Sequence, residues 1–188
     1  MIKDYAELVT EAQRISGVSD LSARAGMLVA FAETNINKRL RTQEQEVRRP
    51  FTTDEDGNFP LSSDLVAIRD VYLGDRELDK IPLRAVEAGR TGWAVGANHI
   101  RTSEVETDLV LWGYTKLPSL EQNDTNFLLR DEPSLYLDAL LSEVLVDDGR
   151  IDEGLLRGQR ASAQIDALNA QDRELRFART NVKLRPRI

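Results

Sequence analysis

The stretch that decides the reading of this chain is TNFLLRDEPSLYLDALLSE, Thr125 to Glu143. An Asn-Asp-Thr-Asn cluster leads into it, an Asp-Glu-Pro triplet interrupts it, and Leu and Tyr supply most of the rest. The triplet reads either as a carboxylate site or as a helix start. Asp131 as a capping acid, negative charge beside a helix N-terminus and Pro133 in the first turn favour the helix start. The following run, PSLYLDALLSEVLVDD, then reads as a helix. Leu137, Leu140, Leu141, Val144 and Leu145 form its core stripe, and Leu135, Tyr136 and Val146 spread apolar surface onto its other faces. A helix apolar on most of its circumference is buried on several sides. The segment therefore points to packing and assembly rather than to chemistry.

Downstream, IDEGLLRGQRASAQIDALNAQDRELRFAR reads as a second, more polar helix. Its thin apolar edge is Ile151, Leu155, Ile165, Leu168 and Leu175, and Gly154 and Gly158 each weaken its start by about 1 kcal/mol relative to Ala. The closing TNVKLRPRI reads as extended, with Pro186 opposing a helix. Upstream, DYAELVTEAQRIS is a helix with Asp4 as N-cap and Gly17 as its stop. A second helix starts at Ser19 or Asp20 and carries the stripe Leu21, Ala25, Leu28, Val29, Ala32, Ile36 and Leu40, completing an αα-hairpin. Between the two helical regions the period changes to two. Short strands are separated by turns at Asp56-Gly57-Asn58 and Gly74-Asp75, DLVLWGY is the clearest strand, and PLRAVEAGRTG holds one helical turn. The expected fold is α+β. An N-terminal helical hairpin (1–43) and C-terminal helices (119–175) form one bundle, a small antiparallel β-domain (44–118) is inserted in it, and an extended basic arm (176–188) follows.

Composition bounds the function. The chain has 188 residues, 30% charged and 41% hydrophobic, which suits a folded protein with a real core. It has no Cys and one His, His99, so disulfides, thiolate chemistry and a multi-His metal site within one chain are excluded. No apolar run is long enough to span a bilayer, and the amphipathic N-terminus lacks an apolar leader core. The net charge is −7, yet Leu175 to Ile188 holds five cations and no acid, which leaves −12 for the rest. An acidic body does not grip a phosphate backbone, and a basic tail on it is built for another surface.

The candidate sites are sparse. His99 has no nucleophile motif beside it, and a structural role is expected. Thr53 to Phe59 lacks the ligand spacing of a calcium loop and reads as a hairpin turn. Gly89 to His99 lacks a phosphate-cradling pattern and reads as a flexible loop. Within it Trp93 is either partly buried under the loop or an exposed anchor for a tail interface, whereas Trp112, in an alternating strand, is expected in the core. The Arg-rich run Asn37 to Arg49 is interleaved with Gln and Glu and reads as a solvated helix end. The arm residues Arg176, Arg179, Lys183, Leu184, Arg185, Arg187 and Ile188 are the strongest candidates for docking onto an acidic partner. Tyr136, Leu137, Leu140 and Leu141 are the candidates for packing within or between subunits. No catalytic residue, metal ligand or cofactor site is expected.

The opening segment also resembles the C-terminal signature of tailed-phage head-to-tail adaptor (connector) proteins, through Thr125, Asn126, Phe127, Leu128, Leu129, Pro133, Leu135, Tyr136, Leu137, Ala139, Leu140 and Leu141. FAETNINKRLRTQEQEVR, Phe31 to Arg48, is similar to the family's helix in which an acidic residue and an Asn lead into Arg-Leu-Arg. PLSSDL keeps Leu61 and Asp64 of its strand pair, and VLWGYTKLPSL resembles its closing strand. The place of the family's Leu-x-Leu-x-Pro strand holds ANHIRTSEVETD instead, and the chain after Asp147 has no residue-by-residue match. The resemblance implies a structural protein of the virion neck, assembled in the host cytoplasm. It implies a homo-oligomeric ring, usually dodecameric, under the portal protein, extending a channel through which double-stranded DNA passes without sequence-specific binding. It also implies docking of tail, nozzle or tail-tube proteins and attachment of the arm to the portal. The alternatives are a tail-completion or tail-tube ring protein, and an enzyme built on His99.

Overall fold

The structure is a computed structural model that describes residues 2–180, with side-chain surroundings to residue 176. The chain folds as two compact units, Met1–Glu44 with Leu117–Ile188, and Gln45–Lys116.

The first unit is helical. Helix α1 (Tyr5–Ser16) is capped by Asp4, whose carboxylate accepts the Glu7 amide at 2.8 Å, and ends where Gly17 turns left-handed at φ 73°. Helix α2 (Leu21–Arg39) follows from Asp20. After the inserted unit come a short helix (Leu120–Asn123), a second short helix (Phe127–Asp131), α6 (Pro133–Asp147) and α7 (Ile151–Thr180); the two short ones are α4 and α5, the second unit holding α3. Helix α6 packs on α1, α2, α5 and α7 and sits at the centre of the unit. Leu135, Tyr136, Leu140 and Leu141 are fully buried there, alongside Leu8, Leu21, Leu28, Ile36 and Leu129. Burial of this kind contributes about 1.5–3 kcal/mol per large apolar side chain.

Two expectations are corrected in this unit. The acid at the N-cap of α6 is Glu132 rather than Asp131, and its side chain makes no capping hydrogen bond. Asn126 caps α5 instead, accepting the Leu129 amide at 3.0 Å, and Asp131 is the last residue of α5, paired with Arg130 at 2.8 Å. Glu132 breaks the chain at φ −132°, ψ 59°, outside the helical region that a following proline disfavours, and Pro133 opens α6. The basic stretch from Arg176 does not begin as an extended arm either, because α7 continues to Thr180. Arg176 lies inside it and pairs with Asp172 one turn back at 2.6 Å, and no Gly or Pro intervenes before Pro186.

The second unit is a pair of antiparallel sheets. Strands β1 (Glu46–Thr52), β3 (Leu65–Leu73), β4 (Arg76–Leu78) and β7 (Asp108–Thr115) form one in the order β1-β7-β3-β4. Strands β2 (Asn58–Pro60), β5 (Trp93–Val95) and β6 (His99–Thr102) form the other in the order β2-β6-β5, and α3 (Leu83–Glu87) precedes β5. Phe51, Val71, Leu78, Trp93, Ile100, Leu109 and Leu111 make their shared core, with the Phe51 and Phe59 rings 4.5 Å apart. The stretch Gly89 to His99, expected as a loop, contains a paired strand. Beside the register shifts of β3, Gly113 lets two backbones meet, since a Cβ there would come within 2.6 Å of the Ala67 carbonyl oxygen.

Candidate functional site

Helix α2 brings two polar side chains inward, Glu33 and Asn37, both nearly buried. Glu33 Oε1 accepts the Leu120 amide at 2.8 Å and the Tyr136 hydroxyl at 2.9 Å. Asn37 Oδ1 accepts the Leu117 amide at 2.8 Å. From the other side, Asn126 Nδ2 donates to the Pro118 carbonyl at 2.9 Å and to the Tyr136 hydroxyl at 3.2 Å, while its carbonyl caps α5. The acid and Asn of the Arg-Leu-Arg helix, the Asn of TNFLL and the Tyr of Leu-Tyr-Leu thus converge on one clasp. It fastens residues 117–126, where the chain re-enters the helical unit, onto α2 and α6.

The clasp is structural chemistry. Burial first, and then the negative charge of Glu33, raise the Tyr136 pKa well above the usual phenol range. A phenol that holds its proton and spends it on a hydrogen bond is no general acid or base near neutrality. Unmaking such a buried pair costs about 1–3 kcal/mol, because the remaining partner loses water as well as its bond. Elsewhere, His99 in β6 lies against Gly96, where a Cβ would fall 2.6 Å from the ring. Asp54 turns its carboxylate onto the amides of Asn58 and Asp56 at 2.7 and 3.0 Å, which lowers its pKa. The hairpin expected there is corrected to a tight turn between sheets, because β1 pairs with β7 and β2 with β6. Among the described residues no group of three or more acids or His is placed to hold a metal ion.

The residues expected to pack within or between subunits pack within this one. Tyr136, Leu140 and Leu141 are fully buried in the chain's own core, so none presents a surface to a neighbour, whereas Leu137 is half-buried beside Ile2 and Ala6 of the N-terminal segment. Of the two places open to Trp93, the exposed tail-interface anchor is overturned and burial is found: it is 1% exposed, its indole N–H donates to the Leu78 carbonyl at 3.0 Å, and the Lys80 ammonium sits 5.3 Å from its ring. Trp112 is corrected in the other direction. It stands half-exposed on the outer face of its sheet between the guanidinium groups of Arg48 and Arg69, 5.9 and 5.4 Å from the ring. The same alternation supports either face as the buried one, and Leu109, Leu111 and Gly113 took it. Of the arm, Arg176 is helical and the Arg179 backbone lies in α7, while Lys183, Leu184, Arg185, Arg187 and Ile188 lie outside the described residues.

One surface feature was missed in the sequence. Helices α2 and α7 both run antiparallel to α6. Arg24 pairs with Asp147 and Glu33 bonds Tyr136 on one side, and the start of α7 returns along the end of α6 on the other. Gly154 and Gly158 make the second contact possible. A Cβ on Gly154 would come 2.7 Å from Val146 Cγ2 and 2.9 Å from the Ser142 carbonyl, and one on Gly158 would come 2.8 Å from Ser142 Oγ. The two glycines four residues apart were the readable signal, misread as mere helix weakness. Between α2 and α7, over α6, lies a groove of about 320 Å³ with Ala32, Ile36, Ala139, Ala161 and Ile165 in its lining. Helical spacing places Phe31 one turn from its lining residue Asn35, Val146 one turn from Ser142, and Leu155 two turns from Ser162. Phe31, Val146, Ile151 and Leu155 are 50%, 43%, 57% and 57% exposed, so four of the large apolar side chains left in water extend the groove's apolar surface along α6 toward the α6–α7 turn.

The chain was also compared with known proteins. The family model described as SU10 adaptor protein matches residues 3–187, and the chain therefore belongs to that family, a family of phage head-to-tail adaptors. No curated protein matches it. The family is one of structural adaptors, not of enzymes.

Proposed function

We propose, starting from membership of the SU10 adaptor protein family, that this chain forms a homo-oligomeric ring in the virion neck, seated under the portal protein and carrying tail components below it. The family match over residues 3–187 carries this reading. Three physical features support it. The buried clasp and the apolar α6 build a helical body around a large apolar core, as suits a structural part. The net charge of −12 outside the last fourteen residues suits a channel wall past which DNA slides without adhering. The exposed apolar side chains around the α2–α7 groove mark a surface made for contact, as large side chains gathered in water commonly do. In this reading tail proteins and the portal are the heterologous partners, and the chain performs no reaction.

The test is genetic and visual. A phage carrying a null allele of this chain is expected to accumulate DNA-packaged heads and separate tails, and supply of the wild-type chain in trans is expected to join them. Intact tailed particles from the null phage, seen by electron microscopy, would overturn the reading.

A further inference from the structure

The basic C-terminal residues were expected to meet the portal on grounds of charge and resemblance; the structure offers them another acidic surface. Beyond the groove's Ser142–Gly158 end, the exposed Val146, Ile151 and Leu155 lead to the turn between α6 and α7, where Asp147, Asp148, Asp152 and Glu153 outnumber the two cations that pair among them, Arg24 and Arg150. The opposite end of the groove carries Lys38 and Arg39, the latter held by Asp166 at 2.8 Å. The acidic, apolar end is therefore the end that suits a basic, apolar ligand. Residues 181–188, NVKLRPRI, have that composition: Val182, Leu184 and Ile188 alternate with Lys183, Arg185 and Arg187, and no acid is present. In an extended peptide such alternation sends apolar and cationic side chains to opposite sides.

The segment cannot reach this site on its own molecule. Leu155 lies 25 helical residues before Thr180, the last residue of α7, which is about 37 Å at about 1.5 Å per residue. The eight residues that follow span at most about 29 Å when fully stretched. We propose that residues 181–188 of one copy seat in the groove of a second copy, with the apolar side chains against Phe31, Val146, Ile151 and Leu155 and the cations toward the carboxylates of the α6–α7 turn. The contact joins two different surfaces, so each copy offers both a donor end and an acceptor end. A contact of this kind closes into a ring or grows as a filament. The inference rests on the ring reading for its setting, but its test uses no phage component, so either can fail alone.

The probe is a fluorescein-labelled NVKLRPRI peptide titrated with the full-length chain and followed by fluorescence anisotropy. Binding is expected, weakened about tenfold or more by Leu155→Lys, a change at an exposed position, and weakened again between low and high salt as the Debye length falls from about 30 Å to about 3 Å. Sedimentation of two full-length variants then tests the geometry. The triple variant Lys183→Glu, Arg185→Glu, Arg187→Glu keeps its groove, and Leu155→Lys keeps its arm. Each alone is expected to stay monomeric, and the mixture to form a one-to-one complex. A peptide that does not bind, or that binds Leu155→Lys as well as it binds the parent, overturns the proposal. So does a triple variant that associates as the parent does, or a peptide captured by purified portal and not by this chain.

Discussion

Trp93 and Trp112 show how much a single residue owes to its surroundings. Both stand in strands, and alternation alone puts a tryptophan on one face of a sheet without saying which face is covered. Trp93 closes the core of the two sheets, where the Leu78 carbonyl satisfies its N–H, whereas Trp112 is sandwiched by two arginines at the surface. These are the only two tryptophans, so fluorescence separates them cleanly. In Trp112→Phe the remaining emission of Trp93 is expected to be blue-shifted and poorly quenched by acrylamide. In Trp93→Phe the emission of Trp112 is expected to be red-shifted and several times more quenchable, and the reverse order would put the wrong face of the sheet inside. Tyr136 was legible at this scale as an important residue of the opening segment, but not as the hydroxyl between Glu33 and Asn126. Its two partners lie 103 and 10 residues away in the chain, and only folding brings them to it.

At the scale of the element, the pairing of α6 with α7 depends on what Gly154 and Gly158 leave out. In an open helix, Gly→Ala stabilises by about 1 kcal/mol. At Gly154 the added methyl meets the Ser142 carbonyl, the Val146 amide and the Val146 side chain, which backbone packing holds in place. Gly154→Ala is therefore expected to destabilise by about 1–3 kcal/mol, the usual range for overpacking. At Gly158 the methyl meets only Ser142 Oγ, the end of a side chain that can rotate, so Gly158→Ala is expected to lie within about 1 kcal/mol of the parent. Chemical denaturation of both variants checks the contrast, and a stabilised Gly154→Ala would refute the close approach. The opening stretch teaches the same lesson. Its helix start at Pro133 was legible from local chemistry, but the extra helix ahead of it, Phe127–Asp131, was not, because Asn126 is a cap only in relation to the backbone that follows it.

At the scale of the molecule, the two units have separate cores: among the described residues no side chain of Gln45–Lys116 belongs to the buried helical cluster, and none of the helical unit belongs to the sheet cluster. Replacing residues 45–116 by a short Gly-Ser linker is accordingly expected to leave a helical protein that unfolds cooperatively. Circular dichroism and thermal melts check this, and a chain without a cooperative transition would show that the inserted unit is needed for the bundle to fold. Adaptor character and the α+β order were legible in the sequence because both rest on local signals: the 3.6- and 2-residue periods, the caps, and the Thr-Asn and Leu-Tyr-Leu spacing. A stretch of 30 residues with no Pro between Ile151 and Thr180 likewise made α7 readable, though charge alone drew its end too early. Sequence by itself thus determined the order of helical and strand regions and most of the longer elements, that the chain carries no thiol and a single imidazole, and that its charge is divided between an acidic body and a basic end. The tertiary structure alone decided which apolar side chains are spent on the core and which remain for a partner. That choice depends on packing between elements distant in sequence: Tyr136, Leu140 and Leu141 vanish inside, while Phe31, Val146, Ile151 and Leu155 stay exposed. Periodicity shows where a side chain points along its own element, whereas burial is set by what the rest of the chain places opposite it.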